Sequence, residues 1–110
     1  MWKVLATDDA ERELEALSND QQAHFLRISL LIEKHGLDHV RFPHVRHLEG
    51  PLWEIRLKGK SGIARAIYVA RVGKRVVVVR VFVKKSERTP RREITLALKR
   101  AQDLKDEDIA

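Results

Sequence analysis

The spacing of apolar residues changes period several times along this 110-residue chain, and each change marks an element. Trp2 to Ala6 reads as a short strand. Thr7-Asp8-Asp9-Ala10-Glu11 then signals a helix start, with Asp8 as cap and Glu11 three residues on. Ala10, Leu14 and Leu17 fall at i, i+4 and i+7, so one stripe faces a core while Glu11, Arg12, Glu13 and Glu15 stay in water. Ser18-Asn19-Asp20 breaks and recaps the chain. A second helix is expected from about Gln21 to His35, with Phe25, Leu26, Ile28, Leu30, Leu31 and Ile32 as a broad apolar face and Gly36 as its stop. Two such helices in succession form a hairpin.

Residues 37–51 hold Pro43, Gly50 and Pro51 and no sustained period, which predicts a loop crossing from helix to sheet. At Leu52 the period becomes two: Trp53, Ile55 and Leu57 alternate with Glu54, Arg56 and Lys58, as in a half-buried strand with one charged face. Gly59-Lys60-Ser61-Gly62 turns the chain into a second strand, Ile63 to Val69. Val72-Gly73-Lys74 turns it into a third, Val76 to Val83, whose run of valines predicts burial on both faces. Thr89 as cap and Pro90 as first residue open a last helix along Ile94, Ala97, Leu98, Ala101 and Leu104, and the acidic tail from Asp103 is expected to fray. The fold class is α+β, in the order β-α-α-β-β-β-α: a short N-terminal strand, a helical hairpin, a three-stranded antiparallel meander and a C-terminal helix. The length suits one domain spanning residues 1–110.

Charge sharpens this picture because it is unevenly placed. Residues 1–50 carry 6 Lys+Arg against 9 Asp+Glu, residues 51–100 carry 15 against 3, and the last ten carry 1 against 4. The meander and final helix therefore hold a net +12 inside a chain of net +6. A cationic block threaded through apolar, strand-forming sequence points to a polyanion such as RNA. With no Cys, disulfide scaffolds, thiolate metal sites and Cys nucleophiles are excluded. The first residues meet Asp8 and Asp9 before any apolar run of signal-peptide length, and no segment reaches the length of a bilayer span, so a cytoplasmic protein is expected.

Strand geometry turns the charge into a candidate site. Glu54, Arg56 and Lys58 share one face of the first meander strand, and Arg65 lies between Ala64 and Ala66 in an apolar strand, where an arginine needs a partner or a function. Glu54 is the candidate partner. Lys84 and Lys85 leave the end of the third strand, so these five could rim one surface. His44 and His47 form an HxxH without carboxylate or thiolate partners, which argues against a metal and leaves the histidines as loop residues or RNA contacts. Gly59-Lys60-Ser61-Gly62 lacks the pattern of a phosphate-binding P-loop, and Ser61, Ser86 and Thr89 lack a His-Asp partner signature, so no covalent nucleophile is expected.

The series Leu52-Trp53-Glu54-Ile55-Arg56, Gly62-Ile63-Ala64-Arg65-Ala66-Ile67-Tyr68, Phe82-Val83-Lys84-Lys85 and Thr89-Pro90-Arg91-Arg92-Glu93-Ile94 resembles the RelE/HigB branch of type II toxin–antitoxin toxins, in particular the phage-derived HigB-like group of the RelE/ParE superfamily. The likeness covers nearly the whole chain. It implies a RelE/ParE-like fold and a ribosome-dependent mRNA endoribonuclease in which the substrate's own 2′-OH attacks the neighbouring phosphate, with no metal or other cofactor. On this likeness Arg56 matches the basic residue that helps activate the 2′-OH, Arg65 the arginine over the scissile phosphate, and Lys85, with Lys84 beside it, the group assisting the leaving oxygen. Glu54 stands where relatives have lysine and becomes a candidate base, and the last helix lacks the Tyr or His many relatives place there. Lys58, Lys60, Arg71, Lys74 and Arg75, with Arg91 and Arg92, are expected to grip RNA around the site. The implied partners are the ribosome, mRNA and a helix-turn-helix, HigA-like antitoxin, with no membrane. Two other readings stay open: a ParE-like gyrase poison, and a non-catalytic RNA- or ribosome-binding module.

Overall fold

The computed structural model describes residues 1–40, 44–60, 62–84 and 88–104. Its elements are β1 (Lys3–Ala6), α1 (Asp8–Glu15), α2 (Asn19–His35), a 3-10 turn (Leu37–His39), β2 (Val45–Glu49), β3 (Leu52–Gly59), β4 (Gly62–Arg71), β5 (Arg75–Val83) and α3 (Arg91–Gln102). The strand, helical hairpin, meander and closing helix stand in the expected order. All five strands form one sheet, β1-β5-β4-β3-β2, with β1 parallel to β5 and the other pairs antiparallel.

Each face of the sheet buries its own core. Against the helical hairpin lie Ile55, Leu57, Ala66, Tyr68 and Val78 with Ala10, Leu17, Ile28 and Ile32. Under α3 lie Leu52, Ile67, Val69, Val77 and Val79 with Ala97 and Leu104. The expected burial of the third meander strand on both faces follows from this arrangement. β5 sits between β1 and β4 with helices on either side, and Val76 to Val79 have no exposed surface. A bulge at Val79, where Ile67 faces Arg80 but Tyr68 faces Val78, puts Val79 and Arg80 on the α3 side together.

Four local readings of the sequence change. Residues 37–51 are not a plain loop, because Val45–Glu49 pairs with β3, Val45 opposite Ile55 and His47 opposite Trp53. The open edge of β3 has ladder groups to satisfy, and that demand recruits a segment whose own periodicity is too short to announce a strand. Thr7, not Asp8, caps α1: its Oγ1 accepts from Ala10 N at 3.1 Å. At α3 the cap position belongs to Pro90 and the Thr89 hydroxyl is used elsewhere. Of the broad apolar face expected on α2, Ile28 and Ile32 are buried, whereas Leu26 is 59% and Leu30 55% exposed. The sheet accepts only one stripe of a helix. Residues 105–110, most of the tail expected to fray, lie outside the described residues.

Candidate functional site

Register decides which charged residues meet. Arg56 of β3 stands directly opposite Arg65 of β4, and Arg46 of β2 stands opposite Glu54. Since alternate strand residues share a face, these four lie together on the α3 side of the sheet. Glu54 has no exposed surface and Arg65 is 1% exposed. Arg65 Nη1 donates to Glu54 Oε1 and, at 3.1 Å, to Thr89 Oγ1. The Thr89 hydroxyl in turn donates to Glu54 Oε2 at 2.7 Å. Arg46 Nε lies 3.0 Å from Glu54 Oε1, an ion-pair contact off the hydrogen-bonding axis. Arg56 is half-buried, and its Nε is shut off from solvent without a hydrogen-bond partner among the described residues.

Burial pushes the Arg65 pKa down, Glu54 opposes that, and Arg46 and Arg56 push it further down. The guanidinium stays charged regardless. Among the described residues, the cluster thus sets three fixed cations around the Glu54 carboxylate, whose two oxygens are both engaged. Glu54 is placed to hold Arg65 in position, covered by Arg65, Arg46 and Thr89.

Lys84 joins this end of the sheet, because its N–H donates to Ile63 O at 2.8 Å just past β5. Lys85 and Ser61 lie outside the described residues. Lys58 and Lys60 are exposed at the β3–β4 turn, close to the cluster. Arg71, Lys74 and Arg75 gather at the other end, since six residues of strand separate Arg71 from Arg65, roughly 20 Å. Lys74, at φ 58°, follows Gly73 in the tight β4–β5 turn, and Arg75 Nε donates to Val72 O at 2.9 Å. Arg91 is paired with Glu49 through two bonds of 2.6 and 2.9 Å, while Arg92 is exposed in the first turn of α3. The expected basic surface is therefore two patches at opposite ends of the sheet.

Two members of the cluster escaped sequence reading. Arg46 sat in a segment taken for a loop, and Thr89 carried the signature of a helix cap, which its hydroxyl does not serve. A second network seats α3. Arg80 donates to Glu93 at 2.6 and 3.1 Å and to Glu13 at 2.6 Å, while Arg100 reaches both Glu13 oxygens at 3.0 Å and Val79 O at 2.9 Å. These bonds tie α1, β5 and α3 together.

The family model described as phage derived protein Gp49-like matches residues 12–102, which include every residue of the arginine cluster and of the network that seats α3. No curated protein matches the chain.

Proposed function

The chain belongs to the phage-derived Gp49-like family, associated with RelE/HigB-type toxins, and from that premise we propose that it is a toxin that cleaves mRNA on the ribosome. One observation carries this reading: Arg56 faces Arg65 directly across two strands, with Arg46 beside them. Like charges placed opposite each other on a sheet cost stability. An anion over the cluster removes that cost, and Arg forks match phosphate oxygens.

In the proposed reaction the 2′-oxygen of the substrate bonds to the adjacent phosphorus, the bond to the 5′-oxygen breaks, and a 2′,3′-cyclic phosphate remains. The proton lost from the 2′-OH is balanced by one gained at the leaving oxygen. Arg56 holds the phosphoryl oxygens as negative charge grows on them, and the buried Arg65 behind it adds its field, the contribution that preorganised cations make best. Lys84 and Lys85 serve the leaving oxygen. Glu54 and Thr89 are positioning residues for Arg65. The partners on this reading are mRNA, the ribosome and a helix-turn-helix antitoxin.

The closure of Glu54 favours a second reading, in which the cations hold RNA without cutting it. A single experiment separates the two. Purified chain is added to ribosomes translating a defined message, and mRNA 5′ ends are sequenced. Cleavage within translated codons, lost by roughly 100-fold in Arg56→Gln, is the expected result. Intact message at full ribosome occupancy overturns the ribonuclease reading. Arg56 is the test position because Arg65→Ala would strand Glu54 in the interior.

A further inference from the structure

β3 outruns its neighbour. β2 pairs with it only as far as Ile55, the N–H of Arg56 reaches His44 O at 2.8 Å, and beyond that point the edge of β3 meets no further strand among the described residues. Helix α2 closes it in place of a strand. His24 Nδ1 accepts from Lys58 N at 2.8 Å, and Asp20 Oδ2 accepts from Lys60 N at 3.1 Å. Residues spaced i and i+4 on one helix thereby take alternate N–H groups of the strand. The approach is tight: a side-chain carbon on Gly59 would lie 2.9 Å from Gln21 Cγ and 3.1 Å from Asp20 Cβ.

This closure fixes what the surface above it offers. With Nδ1 committed as an acceptor, neutral His24 carries its proton on Nε2. Burial, then Arg27, His44 and Lys58, push its pKa down, which favours that neutral tautomer. An open groove of about 650 Å³ runs past it, lined by His24 and Arg27 of α2, His44 ahead of β2, Lys58 of β3 and Lys60 in the turn after it. The two imidazoles meet edge to face, 5.8 Å between centres. Asp20, the acidic residue lining the groove, has one oxygen bound to Lys60 N. The groove starts one pleat beyond Arg56, since Lys58 follows it by two residues, roughly 7 Å along β3.

We propose that this groove is a second phosphate site, which holds the backbone of the RNA strand as it leaves the arginine cluster. The inference rests on the RNA reading above and extends it from the α3 face of the sheet around the β3 edge to α2. Arg27 and Lys58 supply charge, while the His24 Nε2–H and His44 supply directional contacts. Part of the substrate grip therefore comes from the helical hairpin, far from the meander face on which the charge pattern first drew attention.

The probe is a fluorescent single-stranded RNA of ten nucleotides with 2′-O-methyl groups, which binds without being cut. Its affinity is read by anisotropy across a salt series, for the parent chain, Arg27→Gln, Arg27→Gln/Lys58→Gln, Arg56→Gln, and Lys34→Gln at the far end of α2. The double variant is expected to bind at least tenfold more weakly and to lose about 0.7 from the salt slope for each phosphate contact removed, while Lys34→Gln matches the parent. Groove variants that bind like the parent, with Arg56→Gln weakened, overturn the groove and leave the cluster reading standing. A parent that does not bind the probe overturns both. Weakened groove variants together with intact mRNA in the ribosome assay support the groove as an RNA site and overturn only the cleavage.

Discussion

Removing the Glu54 carboxylate strands the Arg65 guanidinium in a place without solvent, and that asymmetry governs the residue scale. Breaking one partner of a buried pair costs about 3–5 kcal/mol, whereas replacing both with apolar side chains of similar volume is often neutral. Glu54→Gln is therefore expected to lower the free energy of unfolding in urea by about 3–5 kcal/mol, and Glu54→Leu/Arg65→Met to lose less than the single change. An equal or larger loss in the double variant would show that the pair is kept for stability. Thr89 acts on the same two groups through a neutral hydroxyl, donating to Glu54 and accepting from Arg65. Thr89→Val is expected to cost about 1–2 kcal/mol, and to reduce mRNA cleavage further than that loss of stability explains if positioning Arg65 matters to the reaction. Cleavage at the parent's rate would remove Thr89 from the site.

At the scale of elements, α2 does two jobs with two stripes. Its inner stripe, Ile28 and Ile32, is buried, so Ile28→Ala is expected to cost about 2–5 kcal/mol, while Leu30→Lys on the exposed stripe should shift stability by no more than about 0.5 kcal/mol. Equal losses at the two positions would contradict the helix orientation. α2 also carries a pH-sensitive contact. The His24 pKa is lowered from 6.5, so the unfolded chain binds the proton more readily than the folded one. Its contribution is fully present above pH 6.5 and is lost as pH falls below that value toward the lower folded pKa. Urea midpoints measured between pH 7.5 and 5 should decline less steeply in His24→Gln, whose amide oxygen can still accept from Lys58 N. The last helix depends on charge rather than a side-chain cap. Arg80→Met removes bonds to both Glu93 and Glu13 and should release α3, read as faster amide exchange in Arg91–Gln102 than in β4.

Across the whole molecule, charge and layers separate. Two cores sit on the two sheet faces, and the +12 block divides into the cluster around Arg56 and Arg65, the patch of Arg71, Lys74 and Arg75 at the opposite end, and ion pairs that seat α3. Among the described residues no helix is long and apolar enough to cross a membrane. The element order and the doubly buried third meander strand were legible in advance because a two-residue or 3.6-residue apolar period is local information carried by each segment. Glu54 and Arg65 were legible as possible partners for the same reason, since strand alternation limits which residues can share a face. What local pattern could not supply was anything settled by a neighbour. β2 exists because β3 has an edge to fill; Arg46 enters the cluster only through that pairing; Thr89 gave up its cap for Glu54 and Arg65; His24 reaches β3 across a fold of 34 residues. By itself, the chain determined its elements other than β2, and the sign and rough place of its charge. Tertiary structure alone decided which cations are spent on buried carboxylates and which stay at the surface, because that depends on register and burial rather than on residue type.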